Sequence, residues 1–167
     1  MTARSSSLAI LGLTFVLIAA CSGGGLLGPT TPGSLSVESV EFASFSLVNS
    51  EREVNPSVDQ LARESEVARI AREYSEEMRD QQFFSHLSLD GTGLRDRLQA
   101  AGIGFRSAGE NLAKVTNAHD PAAYAHTLLM QHEKHRQNIL SSEYSLLGIG
   151  VARNDDTVWI TQIFIHK

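Results

Sequence analysis

Residues 146–166, LLGIGVARNDDTVWITQIFIH, divide at Asn154-Asp155-Asp156 into two runs, Leu146 to Arg153 and Thr157 to His166. Apolar and polar residues alternate in part along both runs, which are rich in β-branched side chains. That pattern, interrupted by Asn and Asp, predicts a β-hairpin. The segments upstream read as helices. Asp120-Pro121 pairs an N-cap with proline at the first helical position and predicts a helix running through Ala122 to about Glu133. Leu94 to Ala101 reads as a short helix closed by Gly102. Between Val58 and Gln82, Leu61, Val67, Ile70, Ala71, Tyr74 and Met78 form the clearest apolar stripe. Glu64, Glu66, Glu73, Glu76 and Glu77 supply the solvated side of that helix. Val40 to Glu53 repeats the helical spacing through Val40, Ala43 and Leu47, until Asn55-Pro56-Ser57 interrupts it. Helices flanking a small antiparallel sheet make this an α+β domain.

The opening residues carry a different signal. Arg4 precedes an apolar run, Leu8 to Ala20, too short to span about 30 Å of hydrocarbon but suited to the core of a signal peptide. The run ends in Ile18-Ala19-Ala20-Cys21, which resembles the lipobox of bacterial lipoproteins. That resemblance implies cleavage before Cys21, the lipidation site, and anchoring of the mature chain in a membrane by its acyl chains. Cys21 is the single cysteine among 167 residues, so the exported domain has no internal disulfide to support it. Ser22, rather than Asp, follows it, which implies the outer membrane if the host has two. The stretch to Ser36 is rich in Gly, Ser, Thr and Pro and reads as a flexible tether. The expected organisation is a signal peptide over 1–20, a lipidated Cys and tether over 21–36, and one domain over 37–167. The localisation expected is the extracytoplasmic face of the cell envelope. The formal net charge of −5 and the lack of any basic patch argue against nucleic acid as a partner.

Four polar residues are candidates for chemistry: His86, Glu110, His132 and His135. His86 closes Phe83-Phe84-Ser85 and leads to the turn Asp90-Gly91-Thr92-Gly93, while Glu110 sits between Gly109 and Asn111. His132 and His135 are three apart and share a helical face if the helix extends that far. Neutral imidazoles supported by a carboxylate can hold a divalent cation, work as an acid–base pair near neutral pH, or form a buried network that only joins layers. His132-Glu133-Lys134-His135 is one residue short of the H-E-x-x-H zinc-protease pattern and is not read as one. Phe83, Phe84 and Trp159 read as core, His119, His126 and His166 as surface or packing residues, and Asn111 and Asn138 as loop bridges.

The order of several motifs carries more information. Leu47-Val48-Asn49-Ser50-Glu51-Arg52, Phe84-Ser85-His86, Gly109-Glu110-Asn111-Leu112 and His135-Arg136-Gln137-Asn138-Ile139-Leu140 resemble the CAP superfamily of cysteine-rich secretory, antigen 5 and pathogenesis-related proteins, in its bacterial form. Leu147-Gly148-Ile149-Gly150-Val151 and Trp159-Ile160-Thr161-Gln162-Ile163-Phe164 continue the resemblance, which covers about Glu41 to Ile165. It implies a three-layer α-β-α sandwich with a central cleft. His86, Glu110 and His135 fall on its catalytic or ligand positions, and His86, His135 and His132 become candidate ligands for Zn or another divalent cation. The chain departs from the family at the animal second histidine, where Trp159 stands, and at the helical Trp, where Leu129 stands. His132 occupies the position of the second glutamate. The function implied is a membrane-anchored binding or cell-surface protein whose cleft takes a cation, a small or lipid ligand, or a protein partner. The alternative is a His/Glu- or metal-dependent hydrolase, for which no Cys-based or G-x-S-x-G nucleophile motif is present.

Overall fold

In the computed structural model, which describes residues 35–167, Ser36 accepts a hydrogen bond from the Ser39 amide at 3.2 Å and so starts helix α1, Val37–Glu53. The expectations for the signal peptide and for Cys21 lie outside the described residues. After α1 come β1 (Ala62–Arg63), α2 (Ser65–Asp80), α3 (Leu94–Ala100), β2 (Ser107–Thr116), α4 (Pro121–Gln131), α5 (Glu133–Ile139), β3 (Leu146–Asn154) and β4 (Thr157–His166). No helix among the described residues is long and apolar enough to cross a membrane.

The hairpin β3–β4 forms the middle of a four-stranded sheet ordered β1-β3-β4-β2. Asn154 pairs with Thr157, leaving Asp155-Asp156 as a two-residue turn with Asp155 at φ 40°. Asp tolerates that left-handed conformation better than most residues. β2 pairs antiparallel with β4 from Ser107↔His166 to Thr116↔Thr157, and β1 adds a short parallel pairing to β3. The sheet is therefore mixed rather than purely antiparallel.

Helices cover both faces. Against α1, α4 and α5 the sheet buries Ile149, Val151, Val158, Ile160 and Phe164 with Val48, Leu129 and Ile139. Against α2 and α3 it buries Ile163 and Ile165 with Val67, Ile70 and Leu98, and Leu112 and Trp159 with Tyr74 and Met78. A strand buried on both sides must be apolar nearly throughout, as β4 is. The architecture is a three-layer α-β-α sandwich. Close approach of α2 to β3 depends on glycine: a Cβ on Gly150 would collide with the backbone of Ala71 and Arg72.

The long helix expected from Val58 starts only at Ser65. Asn49 takes the Leu61 backbone out of helical bonding, accepting from its N–H at 2.8 Å and donating to its C=O at 3.0 Å. The Ala62 amide then donates to Ser145 O, which sets β1 beside β3. The helix expected from Asp120 to about Glu133 begins as read, with Asp120 accepting from the Ala123 amide at 3.0 Å, but stops at Gln131. His132 is extended (φ −94°, ψ 118°) and separates α4 from α5. Phe84 is a further correction: at 48% exposure it is not core, whereas Trp159 is buried and Phe83 packs against Tyr74.

Two buried charges tie α1 to the rest. Arg52 donates to the carbonyls of Asp59, Ile139 and Ser141, closing the C-terminal end of α5. Glu41 pairs with Arg72 on α2 and accepts from the Val151 amide of β3.

Candidate functional site

Alternation along β2 divides the site between the faces of the sheet. Glu110 points toward the α2/α3 layer, as Leu112 does, and Asn111 points toward α5. β2 is an edge strand, so residues on both faces come to the rim of the sheet.

On the first face, the Glu110 side chain is only 4% exposed, and both of its oxygens are engaged. Oε1 lies 2.8 Å from His86 Nδ1, and Oε2 accepts from Arg97 Nη2 at 2.6 Å. A carboxylate that accepts here puts the hydrogen on His86 Nδ1, so that in the neutral ring the lone pair is on Nε2. His86 itself, in the connection from α2 to α3, is 57% exposed. Arg97 comes from α3, lies 3.4 Å from the Tyr74 ring centroid and also donates to Thr92 O at 3.3 Å. Tyr74 in turn donates its hydroxyl to Ser85 O at 2.5 Å.

On the second face, amides replace charges. Asn111 Nδ2 donates to His135 O and to Gln162 Oε1, both at 3.1 Å. Asn138 Nδ2 donates to Asn111 Oδ1 at 2.9 Å and to Glu110 O at 3.3 Å. These bonds seat α5 on β2. A Cβ on Gly109 would lie 2.5 Å from the Tyr144 hydroxyl and 2.9 Å from Asn138 Oδ1, so a larger residue before Glu110 would displace those side chains from their places in the docking. Asn111 and Asn138, expected to bridge loops, lie instead in β2 and α5 and join the strand to the helix.

α5 carries His135, half-buried, and the break before α5 carries His132. They do not share one continuous helix, yet their rings lie 4.4 Å apart, tilted by 33°. Burial, and after it the charges of His132 and His86, hold the His135 imidazole below the usual histidine range. His135 is therefore a neutral donor at pH values where an ordinary histidine is partly protonated.

The structure thus joins His86 to Glu110 and His135 to His132, as two groups flanking the rim of β2. Among the described residues, no three His, Cys, Asp or Glu side chains are gathered to hold one metal ion. Of the remaining histidines, His126 is buried with Nε2 3.2 Å from Glu51 Oε1, and His119 is exposed. Sequence reasoning missed Arg97 and Tyr74. The available signal was position: Arg97 lies three residues after Leu94 and beside Leu98, on the flank of the apolar side of α3.

Comparison with known proteins agrees with this architecture. The family described as "CAP: Cysteine-rich secretory protein family" matches residues 45–164. The Bacillus subtilis protein YkwD is 31% identical over 138 residues, covering 83% of this chain and 51% of the relative. The chain therefore spans about half the length of that curated relative. The crystal structure of an extracellular protein containing a SCP domain from Bacillus anthracis superposes with a TM-score of 0.65 at 33% identity, over 84% of this chain and 45% of that one. An outer surface protein from Borrelia burgdorferi shares the fold at 14% identity, with a TM-score of 0.71 over 80% of this chain and 96% of that one. NaASP2, whose crystal structure was determined with Zn2+, shares it at 13% identity, with a TM-score of 0.52 over 82% and 83%.

Proposed function

The chain belongs to the CAP family of cysteine-rich secretory proteins, and from that premise we propose an extracytoplasmic, lipid-anchored binding protein whose cleft takes a divalent cation or a small or lipid ligand. The observation that carries this reading is the placing of the His132/His135 pair and of the His86–Glu110 pair on the two sides of β2. Burial favours the neutral form of His135 beside His132, and the bond from His86 Nδ1 to Glu110 leaves Nε2 as that ring's uncommitted nitrogen. Neutral imidazole nitrogens are good donors to borderline cations such as Zn2+. The extracellular Bacillus anthracis protein and the zinc-containing NaASP2 structure support the location and the ligand class respectively.

Among the described residues no three His, Cys, Asp or Glu side chains are gathered as a zinc centre with three protein ligands would need. Glu110 is committed to His86 and Arg97, and His86 Nδ1 to Glu110. A cation here would be held by imidazoles alone, with its other positions filled by water or by a ligand. Titration calorimetry with Zn2+ on the mature chain is the test. One ion should bind near neutral pH and more weakly in mild acid, as the imidazoles protonate. His135→Ala should weaken binding by roughly tenfold or more, the range seen when a ligand or its support is lost. Binding that is absent, or indifferent to His135, removes the cation reading and turns the search to lipid and protein ligands.

A second reading, hydrolysis at the envelope, is favoured by one contact: the carboxylate of Glu110 orients His86 as a general base requires. The neighbouring Ser85 hydroxyl accepts from the Leu87 amide at 3.1 Å, and the nucleophile in this reading is water. Turnover of an activated ester by the parent chain that disappears in His86→Gln would favour this reading over simple binding.

A further inference from the structure

Glu110 is nearly buried and carries two partners, of which only His86 belongs to the motifs that mark the cleft. The other, Arg97, has a side chain 10% exposed, held between Glu110, the Tyr74 ring and Thr92 O. From Tyr74 the contacts continue to Ser85 O, the residue bonded to His86. The five residues form a closed circuit: His86 to Glu110, Glu110 to Arg97, Arg97 to Tyr74, Tyr74 to Ser85, and Ser85 through the chain to His86. The one exposed side chain in the circuit that faces the cleft, His86, is thereby fixed through both its ring and its backbone.

Geometry alone would let the Glu110 carboxylate rotate about its last torsion, which is broad for an sp³–sp² bond. With Oε2 held by Arg97 Nη2, and the guanidinium itself held by Thr92 O and 3.4 Å from the Tyr74 ring centroid, the other oxygen has one direction left, toward His86 Nδ1. We propose that Arg97 is a positioning residue of the cleft: by pinning Glu110 it fixes His86 as the Nδ1–H tautomer and aims Nε2 at whatever the cleft receives. This deepens the cleft reading given above and rests on His86 being part of it. A lysine cannot reproduce the effect in full, because a point charge neither forks nor stacks as guanidinium does.

The test is ¹⁵N NMR of the histidine-labelled mature chain in mildly alkaline buffer, where imidazoles are neutral. His86 is assigned by the signals that vanish in His86→Gln. The parent should show a single tautomer, with Nδ1 protonated and Nε2 bare. Arg97→Met should lose that purity and show both tautomers in exchange, and Arg97→Lys should restore it in part. If Arg97→Met does not fold, Arg97→Ala, which likewise leaves position 97 with no side-chain donor to Glu110, is read by the same criterion. A folded variant that keeps the pure Nδ1–H signature overturns the proposal. The two readings fail separately. An unmoved tautomer alongside zinc binding that depends on His135 removes only the role of Arg97. A mixed tautomer alongside no ligand removes only the cleft's function.

Discussion

At the scale of single residues, His135 is the group whose titration reaches beyond the cleft. Burial, with His132 and His86 adding to it, disfavours the charged ring in the native state. The unfolded chain, with an ordinary histidine pKa of about 6.5, takes up the proton first as pH falls. The contribution of His135 to stability is therefore whole above about pH 6.5 and is lost as pH drops through the lowered native value. Melting temperature is expected to decline between about pH 7.5 and pH 5, and His135→Gln should flatten that decline. Equal slopes in parent and variant would show that other groups govern it. His86, Glu110 and His135 were legible because each sits in a recognisable run of neighbours. Arg97 was not, because an arginine in a short helix that also holds Arg95 reads as solvated until the buried carboxylate it faces is known.

At the scale of elements, the hairpin was read almost to the residue, since strand period and turn chemistry are both local. The helix from Val58 was over-extended for a non-local reason. Leu61 fits the apolar stripe but is captured by Asn49, twelve positions earlier, through two bonds that periodicity does not record. The break at His132 was likewise invisible, because nothing in Gln131-His132-Glu133 is a helix breaker; α5 is turned by its docking to Asn111 and Arg52. The seam between α2 and β3 gives the element-level prediction. Gly150→Ala places a methyl against the backbone of Ala71 and Arg72, which cannot rotate away. Overpacking of this kind should cost about 3 kcal/mol, the upper part of its usual range, in urea denaturation. A near-neutral result would mean that α2 rides higher on the sheet than described.

At the scale of the whole molecule, the layered sandwich followed from the family motifs, but the strand order β1-β3-β4-β2 did not. A two-residue strand such as β1 leaves no periodic trace. Anchoring is the prediction proper to this scale: Cys21→Ser should move the protein from the membrane fraction to the soluble one while its melting curve stays unchanged. Retention in the membrane would refute the lipid anchor. The contacts of α1 bear on the same journey. Glu41 finds the Val151 amide 110 positions away, Arg52 finds Ile139 87 positions away, and β1 has only β3 to pair with. Contacts of such long sequence separation must wait for the intervening chain, and topologies rich in them fold slowly. The contacts of Glu41 with Val151 and of β1 with β3 wait until the hairpin 146–166 has been delivered. If the chain crosses a membrane from its N-terminal end, contacts that wait for the last two strands leave that end open while it does.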